Sequence, residues 1–368
     1  MSNRARLGAT RRCFPRGWRV AILLAVALIA PTGQAGVAQQ RNDAPIKLQV
    51  IGGLAGVTQY TRIEQPFWQS EIETLSKGQI SATIRPLDAG GLRNQEMLEL
   101  LRLGVVSIGT ALLSVAAGED PELSAVDLPA LNPDVATLRR TVAAFREHLR
   151  KVLRERYEIE LLGIYAYPAQ VLFCAEPFAG LDALAGRKVR TSSVGQSELM
   201  AAIGAVPVIL PFAEIVSNLR AHVVDCAVTG TLSGYEIGLP SVTSHVHSMA
   251  LSWGVSVFAA NATYWNGLPA EARDVIRSGV AQLEERIWSQ AEADTERGLA
   301  CNAGTVECPG KPERRMVVVP TSPADKALRR RLIADVVLPR WLERCGQDCL
   351  RSWNTYLRPL HAVDPKTP

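Results

Sequence analysis

Apolar and polar positions alternate from Ile46 to Ile51, as in a half-buried strand, and Gly52-Gly53 ends the run. From Thr61 to Lys77 the period changes to that of a helix, with Ile63, Phe67, Ile72 and Leu75 on one face and Gly78 as the stop. Ile80 to Pro86 is a second strand. Asn94 to Leu103 is a helix with Met97, Leu98 and Leu101 aligned and Gly104 just past its end. A third strand, Val105 to Thr110, precedes a long amphipathic helix from Pro133 to Tyr157 and another strand from Ile159 to Tyr165. Strands alternating with helices of this length predict α/β organisation with parallel sheets.

The second half repeats the pattern with shorter elements. Lys188 to Arg190 is a strand and Ser197 to Ile203 a helix closed by Gly204. A strand over Pro207 to Leu210 leads to Pro211, which presets a helix from Phe212. Val223 to Ala227 is again a strand. Pro269 opens a very long helix with Ala272, Val275, Ile276, Val280, Leu283 and Ile287 at steps of three or four, an apolar stripe wide enough to brace two domains. Residues 301–315 are rich in Gly, Pro and charge, and a last strand follows from Met316 to Val319.

Composition changes this picture chiefly at the N-terminus. The chain has 368 residues, 47% of them hydrophobic, enough for two domains with separate cores. Its formal charge of +4 includes six arginines among the first 38 residues, which contain no acid; without them the charge is −2. Nothing in that balance calls for a nucleic-acid partner. The arginine-rich start, the apolar run Val20–Ala30 and the small residues Gly36-Val37-Ala38 have the order of an export signal, with cleavage expected after Ala38. As a helix the run spans about 16 Å against roughly 30 Å of hydrocarbon, too short for an anchor, so the mature protein is expected outside the membrane. Arg11-Arg12 within Thr10–Arg16 also fits a twin-arginine export motif, which leaves the export route open.

Seven cysteines become six when Cys13 leaves with the signal: Cys174, Cys226, Cys301, Cys308, Cys345 and Cys349. An even number in an exported chain favours disulfides over zinc, because neither close pair has the C-x2-C spacing or a nearby histidine. His245 and His247 share one side of a strand but lack a third ligand, so no metal is expected there. The chain has no G-x-S-x-G elbow, H-E-x-x-H, phosphate loop or G-x-G-x-x-G, and only five histidines for acid–base work. Neither catalytic residues nor a cofactor are expected.

One stretch carries a resemblance. Leu181 to Glu236, LDALAGRKVRTSSVGQSELMAAIGAVPVILPFAEIVSNLRAHVVDCAVTGTLSGYE, is similar to the signature region of the substrate-binding proteins of TRAP-type (tripartite, ion-driven) transporters. Leu184–Arg190 answers the family's "DLKGLKIRVP" phrase. Ile203–Pro207, Pro211–Ile215, Val223–Asp225 and Tyr235-Glu236 answer its longer second phrase. Thr243-Ser244-His245 and Trp265–Pro269 extend the likeness, which covers roughly 46–297.

The resemblance implies a two-lobed periplasmic solute-binding fold with a ligand cleft between α/β lobes and a long helix spanning both. The first lobe would hold 45–167 with about 255–300, and the second 168–254 with about 301–368. It implies a periplasmic receptor for a small carboxylate that works with TRAP transporter membrane subunits. A ligand-sensing partner of a signalling protein, or an exported enzyme on the same fold, are the alternatives. Arg190 takes the place of the family's carboxylate-binding arginine, whose planar fork suits bidentate bonds. Gln170 stands where the family often has a second arginine and Thr229 where it often has asparagine, so a monocarboxylate is expected over a dicarboxylate. Tyr235 completes the expected ligand set. The expected pairings are Cys301–Cys308 and Cys345–Cys349, each closing a short loop where the likeness fades. Cys174 and Cys226 are left to join each other at strand positions flanking the cleft.

Overall fold

The computed structural model describes residues 44–88, 91–118, 120–310 and 314–364; the expected signal peptide, 1–38, lies outside them. Strands β1 (Ile46–Gly52), β2 (Ile80–Pro86), β3 (Ile108–Leu112) and β4 (Ile159–Ala166) come first. Strands β5 (Gln170–Cys174), β6 (Lys188–Thr191), β7 (Val206–Ile209), β8 (Cys226–Gly230) and β9 (His245–His247) follow. The last two are β10 (Val255–Asn261) and β11 (Val317–Val319).

They form two sheets, one in the order β2-β1-β3-β10-β4 and the other in the order β11-β9-β5-β8-β6-β7. Most pairs are parallel, as the alternation with helices predicts, but β10 runs against β3 and β4, and β5 against β8 and β9. The purely parallel expectation is therefore corrected, for a topological reason. The chain passes straight from β4 into β5 through Tyr167-Pro168-Ala169, and returns to β10 through 248–254. A strand entering from the other sheet arrives where the resident strands end, so it must run against them.

The return crossing is tied down by a buried carboxylate. Asp127 accepts the backbone N–H groups of Trp253, Gly254 and Val255 at 2.8, 2.8 and 3.2 Å. Burial outweighs those three bonds and raises its pKa to about 6.

A third connection is the helix Ala270–Ala303, 34 residues or about 51 Å long. Its first part covers the β4 side, where Val280 approaches Gly163 and Trp288 Nε1 donates to the Ile164 carbonyl at 2.8 Å. Its last turns lie on the short helix Thr231–Glu236 beside β8. Gly298 permits that approach: a Cβ there would stand 2.2 Å from Leu232 N.

Beyond β11 the chain is helical from Pro323 to His361 with brief breaks. Trp341 and Trp353 of this segment are fully buried. It was expected with the second sheet alone, yet it leans on both sides. Trp341 Nε1 donates to the Pro121 carbonyl at 2.7 Å, and Thr141 bonds His361 at 2.9 Å. On the other side Asp325 accepts from Leu181 N–H at 3.1 Å.

Candidate functional site

Parallel strands leave their carboxyl ends pointing one way, and α/β proteins place ligand sites beyond those ends. Here both sheets do so toward a common cavity of about 560 Å³. The first sheet contributes Leu54 after β1, Leu87 and Asp88 after β2, and Leu112 with Ser114 and Val115 after β3. The second contributes Arg190 from β6, Ile209 to Phe212 from the end of β7, and Thr229 with Gly230 from β8. Gln170, at the start of the reversed strand β5, pairs with Gly230 and joins the same wall.

Arg190 is the buried cation of this cavity, with 3% of its surface exposed. Its Nε donates to the Leu210 carbonyl at 2.9 Å and its Nη1 to the Val228 carbonyl at 2.7 Å. These bonds stretch the side chain between the ends of β7 and β8 and fix its direction. Among the described residues no carboxylate lies within ion-pair distance of it. Desolvation without a compensating charge lowers its pKa to about 9. A buried guanidinium held by two neutral carbonyls is an incomplete anion site: a carboxylate supplies the charge that the protein withholds.

The sequence-expected residues divide. Arg190, Gln170 and Thr229 are brought together on the cavity wall. Gln170 Nε2 donates to the Pro168 carbonyl at 2.9 Å, and Thr229 is 1% exposed. Tyr235 is not with them and is a correction. Its hydroxyl donates to the Pro309 and Gly310 carbonyls at 2.9 and 3.1 Å, and its ring packs with Leu232 and Cys301. The cause is helical geometry. Ser233 of the same short helix lines the cavity, and a residue two positions on points about 200° round the axis.

The next residue, Glu236, accepts from Thr58 N–H at 3.1 Å and from the Thr58 hydroxyl, linking that helix to the start of the helix over 59–75. Burial raises the Glu236 pKa from its ordinary value.

Other residues of the cavity lack a motif in the sequence. Gln196 is buried, receives the Ser192 N–H at 2.9 Å and donates to Ser252 Oγ at 2.9 Å, which fixes the loop after β6. Tyr167 lies at the crossing itself and its hydroxyl accepts from Leu54 N–H at 3.2 Å. Behind it Glu64, fully buried, accepts from Gly53 N–H at 2.6 Å and Gln59 Nε2 at 2.9 Å. A Cβ at Gly53 would stand 2.6 Å from the Tyr167 hydroxyl, so glycine is required for that packing. The one sequence signal for this floor is the Gly52-Gly53 pair ending β1. At the rim Asp88 accepts from Ala55 N–H at 2.7 Å, and Arg93 is engaged by Glu96.

The cysteines pair as expected: Cys174–Cys226, Cys301–Cys308 and Cys345–Cys349. The position of the first pair differs from expectation. Cys174 and Cys226 face each other across β5 and β8 at the end remote from Gln170 and Gly230, four residues or about 13 Å along the strands. His247 is buried against Phe178, and burial lowers its pKa although the Asp325 carboxylate lies 3.4 Å away. Among the described residues no group of three His, Cys, Asp or Glu side chains could hold a metal ion. No helix among them is long and apolar enough to cross a membrane.

Comparison with known proteins follows from this geometry. The model of bacterial extracellular solute-binding protein family 7 matches residues 55–309. The C4-dicarboxylate-binding periplasmic protein of Rhodobacter capsulatus is 23% identical over 240 residues, 64% of this chain and 72% of that protein. A Bordetella pertussis extracytoplasmic solute receptor binding pyroglutamic acid superposes with a TM-score of 0.76 at 22% identity, covering 84% of this chain and 99% of its own. A TRAP periplasmic solute-binding protein from Desulfovibrio salexigens with bound orotic acid gives 0.75 at 18% identity, covering 86% and 99%.

Proposed function

We propose that this chain, which belongs to family 7 of the bacterial extracellular solute-binding proteins, is a receptor for a small organic acid and hands it to TRAP transporter membrane subunits. The observation that carries the reading is Arg190: a guanidinium buried in a cavity between two sheets, held by two carbonyls and with no carboxylate of the described residues at ion-pair distance. Among the described residues the cavity lining includes no histidine or cysteine, so binding rather than covalent chemistry suits it. Export to the periplasm with cleavage near Ala38 belongs to the same reading. So does closure of two lobes, 45–167 with about 255–300 and 168–254 with about 301–368, around the acid, the helical segment from Pro323 to His361 keeping contact with both.

The acid is a monocarboxylate. Gln170 and Thr229 share the wall with Arg190, and neither supplies a second positive charge. A second carboxylate there would be desolvated unpaired. Pyroglutamic and orotic acids, bound by the Bordetella pertussis and Desulfovibrio salexigens proteins, each carry one carboxyl group on a ring. The relative named for C4-dicarboxylates makes the distinction worth measuring. A thermal-shift screen tests both points, since a ligand at 100 times Kd stabilises by about 2.7 kcal/mol. A monoacid should stabilise more than a diacid of equal size. Gln170→Arg should move the preference toward the diacid by about tenfold or more, because a charged hydrogen bond contributes roughly 1.5–3 kcal/mol. Tighter diacid binding by the wild type would overturn the monocarboxylate assignment.

A further inference from the structure

We infer that the occupant is an elongated monocarboxylate with an apolar body, whose tail passes between Val115 and Ile209 into a second chamber. The inference rests on the assignment of Arg190 as the carboxylate anchor and concerns what lies beyond it.

Three observations carry it. The first is the character of the walls. Leu54, Leu92 and Leu112 come from the first-sheet side and Ile209, Leu210 and Phe212 from the second, none of them fully buried. Ile209, which lines the cavity, is 50% exposed, so an occupant with an apolar body would cover it. Most of the cavity surface is apolar although Arg190 lies on one wall. The second is size. A cavity of about 560 Å³ falls in the range, roughly 300–1,000 Å³, of sites that enclose drug-sized ligands.

The third is continuity. A further chamber of about 180 Å³ shares Gln95, Ser114, Val115, Ser192 and Ile209 with the main cavity. It continues past them to Leu128, Pro129, Val194 and Val337, and its surface is again mostly apolar. A compact polar acid would leave that surface in contact with water. A carboxylate at Arg190 followed by an alkyl or aryl-alkyl body covers it.

Titration calorimetry of the exported protein with butanoate, hexanoate, octanoate, 3-phenylpropanoate and succinate tests this. Each methylene moved from water to an apolar wall should tighten binding about three- to fourfold. Octanoate should then exceed butanoate by about a hundredfold or more, with 3-phenylpropanoate also well ahead of butanoate. Val115→Trp and, from the opposite wall, Ile209→Trp should each lower the octanoate-to-butanoate ratio by about tenfold or more, because the indole blocks the passage. A ratio within one variant is insensitive to a general loss of fold, and the two plugs are independent. Acids that bind in an Arg190-dependent way without gaining from length would refute the apolar body and leave the carboxylate anchor standing, as would octanoate ratios unchanged in both plugs. No binding of any acid, succinate included, would remove the anchor and this inference together.

Discussion

Glu64 lies behind the cleft floor and gives the protein a pH dependence that can be worked from its surroundings. Its carboxyl is fully buried, and desolvation outweighs the bonds from Gly53 N–H and Gln59 Nε2, raising its pKa to about 7. The unfolded chain holds the same group near 4.5. Between those values the folded protein binds more protons than the unfolded one, so stability falls as pH rises from about 4.5 to 7 and is level beyond. A shift of that size corresponds to about 3 kcal/mol. Glu64→Gln removes the titration and keeps the shape. Its carbonyl accepts one of the two native donors, and a half-turn of the Gln59 amide, whose Nε2 now faces Glu64, brings round the Gln59 Oε1, unpartnered among the described residues, to accept from the new NH2. The variant's melting temperature relative to wild type should therefore climb between pH 4.5 and pH 8. At about 2 °C per kcal/mol for a chain of this size, the change is about 6 °C. Melts across that pH range, at constant ionic strength, measure it directly. The absolute cost of the amide drops out of the comparison, and a pH-independent difference would refute the placement of an uncompensated carboxyl at Glu64.

Gly298→Ala should cost about 3 kcal/mol or more in denaturant unfolding, because its Cβ would overlap backbone atoms of Thr231 and Leu232 that cannot move without displacing the short helix beside the cleft. The three disulfides should contribute unequally. Loop entropy assigns about 4 kcal/mol to Cys174–Cys226, whose sequence separation is 52, and about 2 kcal/mol to each of the other two, with separations of 7 and 4. Replacing each pair by alanines should lower the unfolding midpoint most for the first, and equal losses would contradict that order.

Much of this was legible in the chain because the signals were local. Strands β1 and β2 alternate clearly, the helix stripe from Ala272 to Ile287 is periodic, and the phrase around Arg190 fixes its strand. The misplacements have physical causes. The strand expected at Val223–Ala227 begins three residues later, because Val223 is 45% exposed in the preceding turn. Val105 misleads in the same way before β3, at 69% exposure. Strand β10 is buried on both faces and so shows no alternation, which hides it in an apolar sequence. The site was legible only where a motif marks it. Tyr167 and Gln196 act through Leu54 and Ser252, far away in sequence, Glu64 acts through Gly53 and Gln59, which form no motif with it, and Tyr235 sits in a motif yet faces away from the cleft.

The central claim is that Arg190 anchors a carboxylate. Titration calorimetry of the best acid from the screen against wild type, Arg190→Ala and Arg190→Lys tests it most directly. Removing one partner of a buried charge pair costs roughly 2–5 kcal/mol. Arg190→Ala should accordingly weaken binding by about thirtyfold or more. Arg190→Lys should recover only part of the loss, since a point charge cannot reproduce the two-pronged bond. An Arg190→Ala protein that folds and binds the acid as tightly as wild type would contradict the account.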